Sequence, residues 1–345
     1  MSPSFSLRLR VGLIAATLAL AGCTLPPADS PARSAVSATC ATQATTQALP
    51  SWQDRAARQE ILAFIEHVTT PGHPDYVPPA ERLAVFDNDG TLWAEKPHWF
   101  SVQFYIDRVR ALAPEHPEWM ADPLLASVIA NDPADPPKLG GKEVIRLAAL
   151  AETGLDQESF RAIARDWLAT ARHPETGMLY RDMVYQPMLE LLDLLRGHGF
   201  RTYISTGGFD EFTRALAPVY GIQPYEVLAT RWKMTYQEQE GGSVVMREPT
   251  LDFYNYNEDK PVGIEVALGM RPILAAGNSD GDLAMMTYVA DRSGPSLVLL
   301  VDHDDAQREY DYARGADRSH ARAAERDWTR ISIRDDWNTV YPSAR

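Results

Sequence analysis

Cysteine is scarce in this 345-residue sequence, which has only Cys23 and Cys40. Both lie in the first part of the chain, and Cys23 has a separate predicted use that is given below. An internal disulfide is therefore not expected, so the fold must depend on its hydrophobic core. Cys40 lies in a segment without apolar periodicity, which argues against a catalytic thiol there. At this length, the chain can bury a sizeable core.

Positively charged residues are also fewer than negatively charged ones. The sequence has 33 Lys and Arg against 47 Asp and Glu, a formal net charge of -14, and no basic run. Because phosphate backbones select basic surfaces, nucleic acid is excluded as a partner. The 8 histidines show no spacing typical of metal ligands, and His303 in "DHDD" is expected to be a surface loop residue.

The long apolar run of the sequence is "VGLIAATLALAGC", which follows Arg8 and Arg10. It is short for a membrane span and ends in small residues, a layout typical of a secretory signal. Its ending, "LAGC", resembles the bacterial lipobox, whose cysteine becomes the lipidated first residue. This resemblance implies a signal peptide over 1–22, a lipid anchor at Cys23 and a protein facing the periplasm. Thr24 favours the outer membrane, and a plain export signal is the alternative.

Residues 23–51 are rich in Ala, Thr, Ser and Pro and predict a flexible tether. Folded sequence is expected from about Trp52. Helical patterns alternate with apolar strands over 52–92 and 182–345, which predicts an α/β fold with a doubly wound, mostly parallel sheet. The strands are expected at "RLAVFD", "RTYIST", "RPILAAG", "SLVLLVD" and "WTRISIR".

The interval 93–181 has helical periodicity without a convincing strand, in segments such as "SVQFYIDRVRAL" and "QESFRAIARDWLATA". It predicts an inserted α-helical cap domain. A hairpin of "VLATRWKMTYQ" and "SVVMREP", joined at "EQEGG", is expected to flank the sheet.

The stretch "LAVFDNDGTLW" ends a buried strand with two aspartates, Asp87 and Asp89. Neighbouring buried carboxylates repel each other unless a cation lies between them. Mg²⁺ suits this position because it binds carboxylates, water and substrate phosphate. The pattern predicts a Mg²⁺ site in which Asp87 is the nucleophile of phosphoryl transfer and Asp89 the general acid and base.

Other polar residues fall where ligands bind, at the carboxyl ends of predicted strands. Thr206, with Gly207 beside it, offers a hydroxyl and backbone N–H donors to a phosphate. Lys260 opens a helical stretch and offers a fixed positive charge. Asn278 and Asp282, in "GNSDGD", are expected to complete the metal environment.

This order of segments resembles the haloacid dehalogenase (HAD) superfamily, and "TGGF" and "GNSDGDLAM" are most similar to its phosphoserine phosphatase branch. The resemblance spans residues 83–285. It implies a Rossmannoid core with a cap, a Mg²⁺ cofactor, Asp87 as nucleophile and Asp89 as acid and base. It also implies Thr206 and Lys260 on the substrate phosphate, and the presence of Asp89 argues against carbon–halogen chemistry.

The sequence departs from that branch at Asn278, where an aspartate metal ligand is usual. The amide oxygen of Asn278 still binds a cation but adds no charge. Asp280 or Asp282 is expected to compensate.

The segment "WAEKPHWF" after the nucleophile leaves two alternatives open. Trp93, Trp99 and Phe100 pack the cap onto the core, or they form a wall that faces the substrate. Phosphoserine phosphatases carry a glutamate near the substrate amine, and Glu95 lies within one position of it. Aromatic rings beside a carboxylate also hold quaternary ammonium groups.

The predicted function is a lipid-anchored, Mg²⁺-dependent phosphomonoesterase that hydrolyses a small phosphate ester through an aspartyl-phosphate. A phosphotransferase with the same catalytic residues is the alternative within enzymes. A non-catalytic envelope lipoprotein that keeps the fold is the alternative from another class, and Asn278 is the feature in its favour.

Overall fold

The computed structural model describes residues 48–130 and 139–343, all within the compact unit Gln47–Arg345. The predicted signal peptide 1–22, the anchor Cys23 and most of the tether lie outside the described residues. Within these ranges, no helix has the length and apolar character needed to cross a membrane.

The fold includes residues that composition assigns to the tether. Leu49 is only 2% exposed, and the backbone N–H and hydroxyl of Ser51 both donate to the Glu190 carboxylate. Ordered packing therefore starts by Leu49, before the predicted boundary at residue 51. A single apolar residue in a polar run has no periodicity by which its burial could be predicted.

A seven-stranded sheet forms the centre of the fold, in the order β4-β3-β2-β1-β5-β6-β7. Every neighbouring pair is parallel except β3 and β4, which form the predicted antiparallel hairpin. The predicted α/β fold with a mostly parallel sheet is thus confirmed. The strands are β1 Leu83–Phe86, β2 Arg201–Phe209, β3 Val227–Gln239, β4 Gly242–Phe253, β5 Leu274–Gly277, β6 Leu297–Asp302 and β7 Thr329–Ser332.

Helices cover the sheet, and their apolar residues recur at helical spacing. Ile61, Ile65 and Val68 of the first described helix are all buried, as its sequence period predicts. The described α-helices are Ala56–Thr69, Phe100–Leu112, Pro123–Ala130, Gly141–Glu152, Gln157–Thr170, Gln186–Gly197, Asp210–Leu216, Asp259–Leu268, Leu283–Ala290, Asp317–Arg326 and Ile333–Asp336. Short 3₁₀ helices span Pro79–Glu81, Ala113–Glu115, Pro117–Ala121, Tyr180–Asp182, Ala217–Tyr220 and Pro224–Glu226.

The interval predicted as a cap contains four of these α-helices, from Phe100–Leu112 to Gln157–Thr170. Its aromatic residues join those of the sheet's own helices in one apolar core. The ring of Phe104 lies 5.0 Å from that of Phe212 and 5.8 Å from that of Phe160. The cap boundaries at 93 and 181 stay a prediction.

A buried charge network fastens the hairpin to this core. Arg247 of β4 is fully buried, and its guanidinium lies 2.9 Å from the carboxylate of Glu152 and 3.0 Å from that of Asp210. Tyr105 and Trp232 donate further hydrogen bonds to Glu152. Buried charges are tolerated only when they are paired. Arg247 therefore fixes how β4 packs against the helix that ends at Glu152 and the helix that begins at Asp210.

Replacing Arg247 by Met should leave Glu152 buried without its cation, while Asp210 keeps Arg214 at 2.8 Å. We expect Arg247→Met to lower the free energy of unfolding by about 3–5 kcal/mol, the usual effect of breaking a buried ion pair. The matched control is Arg231→Met on β3, because Arg231 and its partner Asp252 are each 43% exposed. An exposed pair contributes about 0–1 kcal/mol. Urea unfolding measures both, and equal losses would contradict the assignment.

Candidate active site

The central strand β1 positions the first site residue. Its last residue, Phe86, pairs with Ile204 of β2 on one side and with Ala276 of β5 on the other. The backbone N–H of Asp87 then donates to the Ala276 carbonyl at 2.9 Å. The polar residues that follow these strands therefore meet at one edge of the sheet, as is usual for parallel strands.

Lys260 links the first two acids of this edge. It lies in the first turn of the helix Asp259–Leu268, and its Nζ is 2.6 Å from Oδ1 of Asp87 and 2.6 Å from Oδ1 of Asp282. Burial, then Asp282, raise the pKa of Asp87, and Lys260 opposes them. Burial alone would lower the pKa of Lys260, but Asp282 and Asp87 outweigh it and raise the value. Lys260 is thus a permanent cation between two carboxyl groups.

Asp89 lies beside this pair in a partly buried position. Its Oδ1 accepts a hydrogen bond of 2.8 Å from the indole N–H of Trp93. Burial, and then the nearby carboxylate of Glu95, raise the pKa of Asp89 to about 7. A carboxyl group with this pKa can give and take a proton near neutral pH, as a general acid and base must.

A bulge at the end of β2 places Thr206 next to these acids. Thr206 pairs with Ala229 of β3, and Phe209 pairs with the adjacent Thr230. Gly207 and Gly208 therefore have no pairing partner on β3. The bulge lets the N–H of Gly208 donate to the Thr206 hydroxyl at 3.0 Å. A side-chain carbon on Gly208 would lie 3.9 Å from Oδ2 of Asp89. The two glycines therefore bring backbone close to the reacting groups.

The two acids of "GNSDGD", Asp280 and Asp282, both form hydrogen bonds with other protein groups. Oδ1 of Asp282 accepts a hydrogen bond from Lys260 Nζ, and Oδ2 accepts from the backbone N–H groups of Asn278 and Ser279. Asp280 accepts from the N–H of Ser319. Asp282 thus holds Lys260 and the loop, although the sequence suggested it as a metal ligand, and that assignment stays a prediction.

The two predicted specificity residues have distinct surroundings. Trp93 is fully buried, with its ring 4.9 Å from that of Phe100, which favours packing over a substrate wall. Trp99 is 42% exposed and donates from its indole N–H to Oε2 of Glu95 at 2.8 Å. Glu95 is buried, and its Oε1 lies 3.3 Å from the amide nitrogen of Asn278.

His303 is a site residue that the sequence did not reveal. The expected surface position is wrong, because His303 is buried with Nε2 2.8 Å from the carbonyl oxygen of Gly90. Its Nδ1 lies 3.0 Å from Oε2 of Glu309, and the Tyr185 hydroxyl donates to Oε1 of the same carboxylate. His303 directly follows β6, and this position at a strand's carboxyl end was the available signal.

The family of the chain follows from a match along its sequence. A family model described as haloacid dehalogenase-like hydrolase matches residues 84–287. The matched range is more than half of the chain and includes Asp87, Thr206, Lys260 and Asn278. The chain belongs to the haloacid dehalogenase-like hydrolase family.

Solved structures are similar to this chain at low sequence identity. A conserved protein of unknown function from Anaerococcus prevotii DSM 20548 is 14% identical with a TM-score of 0.55, over 84% of this chain and 96% of that chain. A protein of unknown function from Bordetella pertussis Tohama I is 15% identical, with a TM-score of 0.45 over 73% and 98%. A phosphoserine phosphohydrolase-like protein from Francisella tularensis subsp. tularensis SCHU S4 is 15% identical, with a TM-score of 0.37 over 71% and 98%. No curated protein matches the chain.

The donor set of this HAD site fits a hard divalent cation. Carboxylate and amide oxygens are the ligands that Mg²⁺ prefers. Acids also outnumber lysines at this edge of the part of the chain that the structure describes: Lys260 and Lys96 pair with acids of the group Asp87, Asp89, Asp282 and Glu95. Such an excess of buried negative charge favours a bound cation. Asp87, Asp89 and Asn278 are the residues suited to hold it.

Another group of potential metal ligands lies outside this site, although the sequence showed no histidine cluster. The ligand atoms of His67, His73 and Asp75 lie within 4.8 Å of one another. The two imidazole rings stack, with centroids 4.3 Å apart and an interplanar angle of 14°. Parallel stacking fits a packing contact after the helix Ala56–Thr69, and His67 is exposed.

The close contact of Gly90 with Asn278 leads to a prediction about the loop that follows β1. Its φ is +75°, and a side-chain carbon there would lie 2.0 Å from the amide nitrogen of Asn278. The left-handed backbone disfavours alanine by about 1–2 kcal/mol, and displacing Asn278 should add about 1–3 kcal/mol. We expect Gly90→Ala to lower the free energy of unfolding by the sum of both effects.

Gly72→Ala is the matched control for this prediction. Gly72 has a φ of +87°, but nothing lies within 4 Å of the added carbon. It should therefore show only the backbone effect in denaturant unfolding. Equal destabilisation of the two variants would mean that the close approach of Gly90 to Asn278 is not required.

Proposed function

We propose that the protein is a Mg²⁺-dependent phosphomonoesterase that hydrolyses a small phosphate ester through an aspartyl-phosphate on Asp87. The observation that carries the proposal is that Lys260 holds Asp87 while Asp89, two residues further on, lies beside them. Lys260 contacts Asp87 at 2.6 Å, while the pKa of Asp89 is raised to about 7. Membership of the HAD hydrolase family supports the same class of reaction.

In the first step, Asp87 attacks the substrate phosphorus. Lys260 holds Oδ1, and among the described residues Oδ2 accepts no hydrogen bond, so Oδ2 is the attacking atom. The bond from Oδ2 to phosphorus forms as the bond from phosphorus to the ester oxygen breaks. Protonated Asp89 gives its proton to the departing alkoxide, which leaves as an alcohol.

In the second step, water releases the phosphoryl group. The Asp89 carboxylate takes a proton from the water, whose oxygen attacks phosphorus. The bond between Oδ2 and phosphorus breaks, inorganic phosphate leaves, and Asp87 is a carboxylate again. Asp89 ends protonated and ready for another cycle, so all protons balance.

The charge of the phosphoryl oxygens must be held throughout both steps. Lys260 supplies a fixed positive charge next to the nucleophile, and Thr206 with Gly207 supplies hydroxyl and backbone N–H donors. Mg²⁺ held by Asp87 and Asn278 would neutralise further negative charge on these oxygens and leave the Asp89 carboxyl group free to transfer protons.

Phosphate release tests the proposed reaction. The full-length chain, purified in detergent and freed of metal, is assayed on p-nitrophenyl phosphate, phosphoserine, phosphocholine and phosphoethanolamine. We expect turnover with Mg²⁺, none with EDTA, and at least a ~10³-fold loss in Asp87→Asn, since nucleophile removal has effects of this order or larger. Asp54→Asn is the control, because the Asp54 side chain is 77% exposed.

Each other outcome of this assay points to a different function. Activity that survives Asp87→Asn rules out the aspartyl-phosphate. Glycerol phosphate formed when glycerol is added indicates a phosphotransferase. A folded wild type that binds metal but turns over no ester favours the non-catalytic alternative.

We also propose that the protein is exported and anchored to the bacterial envelope through a lipid on Cys23, on the sequence evidence of "LAGC" after an apolar run. The expected location is the periplasmic face of a membrane, the outer one if two are present.

Expression in a Gram-negative host tests the anchor. Cys23→Ser should lose palmitate labelling and no longer sediment with the membrane fraction, whereas Cys40→Ser should keep both properties. A membrane-bound, labelled Cys23→Ser protein would contradict the anchor.

A further inference from the structure

The loop after β5 poses a charge problem for the proposed metal site. Asn278 is neutral, and the two acids expected to replace the missing charge, Asp280 and Asp282, already accept hydrogen bonds from other protein groups. Oδ1 of Asp282 bonds to Lys260 and its Oδ2 to the loop backbone, while Asp280 bonds to Ser319. A carboxylate from elsewhere in the chain is therefore a further source of the missing charge.

Glu95 is the carboxylate that reaches Asn278. Its Oε1 accepts from the amide nitrogen of Asn278 at 3.3 Å, across a sequence separation of 183 residues. Glu95 is only 6% exposed, and Oε2 is held by the indole N–H of Trp99 at 2.8 Å. The carboxylate is thus fixed in place beside the position that lacks charge.

The contact also decides which way the Asn278 amide faces. A carboxylate only accepts hydrogen bonds, so it selects the NH₂ end of the amide. The Asn278 oxygen then faces away from Glu95, where the Thr91 hydroxyl lies 3.4 Å from it. Partners that orient a metal ligand in this way change metal affinity by about 10–100-fold when they are removed.

We infer that Glu95 supplies the negative charge that Asn278 lacks and turns the Asn278 oxygen toward the divalent cation. The inference rests on the proposed Mg²⁺-dependent function. Glu95 is a positioning residue in this role, since it acts on the cation through Asn278 and through its charge.

The surroundings of Glu95 favour this role over direct contact with a substrate amine. Its Oε1 also accepts from Lys96 Nζ at 3.3 Å, but the Lys96 side chain is 29% exposed, so solvent screens its charge more than that of buried Glu95. Lys96 is itself held over the ring of Tyr312, 4.0 Å from the centroid. Both carboxylate oxygens of Glu95 therefore have protein partners before any substrate binds.

A double-mutant cycle tests the inference by metal binding. Wild type, Glu95→Gln, Asn278→Asp and the double variant are titrated with Mg²⁺ by calorimetry and with Mn²⁺ by electron paramagnetic resonance. Glu95→Gln keeps one acceptor oxygen for the Asn278 amide and removes the charge, together with the acceptor for the Trp99 indole N–H. We expect it to weaken metal binding at least ~10-fold, in line with other outer-shell losses.

The double variant carries the decisive result. An aspartate at position 278 should restore the charge, so Glu95→Gln should change metal affinity less than ~3-fold in the Asn278→Asp background. Glu118→Gln is the control for charge removal, since the Glu118 side chain is 66% exposed. Thermal unfolding of each variant confirms that it is folded.

Two results would overturn the inference. One is an unchanged metal affinity in Glu95→Gln with a raised KM for an amine-bearing ester, which would make Glu95 a substrate residue. The other is an equal loss of affinity in both backgrounds. The proposed function fails separately: metal binding that depends on Glu95 without phosphate release removes the phosphatase and leaves the inference intact.

Discussion

Lys260 makes two ion pairs that the rest of the site depends on. Its ammonium, 2.6 Å from both Asp87 and Asp282, joins the end of β1 to the loop after β5. Its helix must therefore be docked accurately, and buried Asn255 does this by donating to the carbonyls of Thr206 and Leu228 at 3.0 Å. A buried ion pair is a weak source of stability, so these contacts are better explained by chemistry than by folding.

The loop that follows β1 is held by one nearby residue and by two from distant parts of the chain. His303 binds the carbonyl of Gly90, Trp93 binds the side chain of Asp89, and Asn278 fills the space that Gly90 leaves open. Loops positioned by several rigid elements keep reacting groups in place without reorganisation during the reaction. This explains why a histidine after β6, two strands away from β1, is buried at the site.

Local patterns in the sequence predicted the parallel sheet and the residues at its carboxyl edge. Asp87, Thr206 and Asn278 each follow or end an apolar run, so topology alone brings them together. The sequence could not predict contacts between side chains far apart along the chain. The bond between Glu95 and Asn278 and the burial of Arg247 depend on how helices of residues 93–181 pack, which periodicity does not encode.

The charge of the site connects these observations. A phosphate ester is an anion, and it must approach a group of buried acids whose nearest lysine is already shared between two of them. Without another cation, substrate and nucleophile would repel each other in surroundings that screen charge poorly. In the proposed phosphatase, a divalent cation would remove this barrier, and its binding would depend on how much negative charge the protein supplies. Replacing the usual aspartate by Asn278 reduces that charge, and the buried carboxylate of Glu95, 3.3 Å away, is placed to restore it.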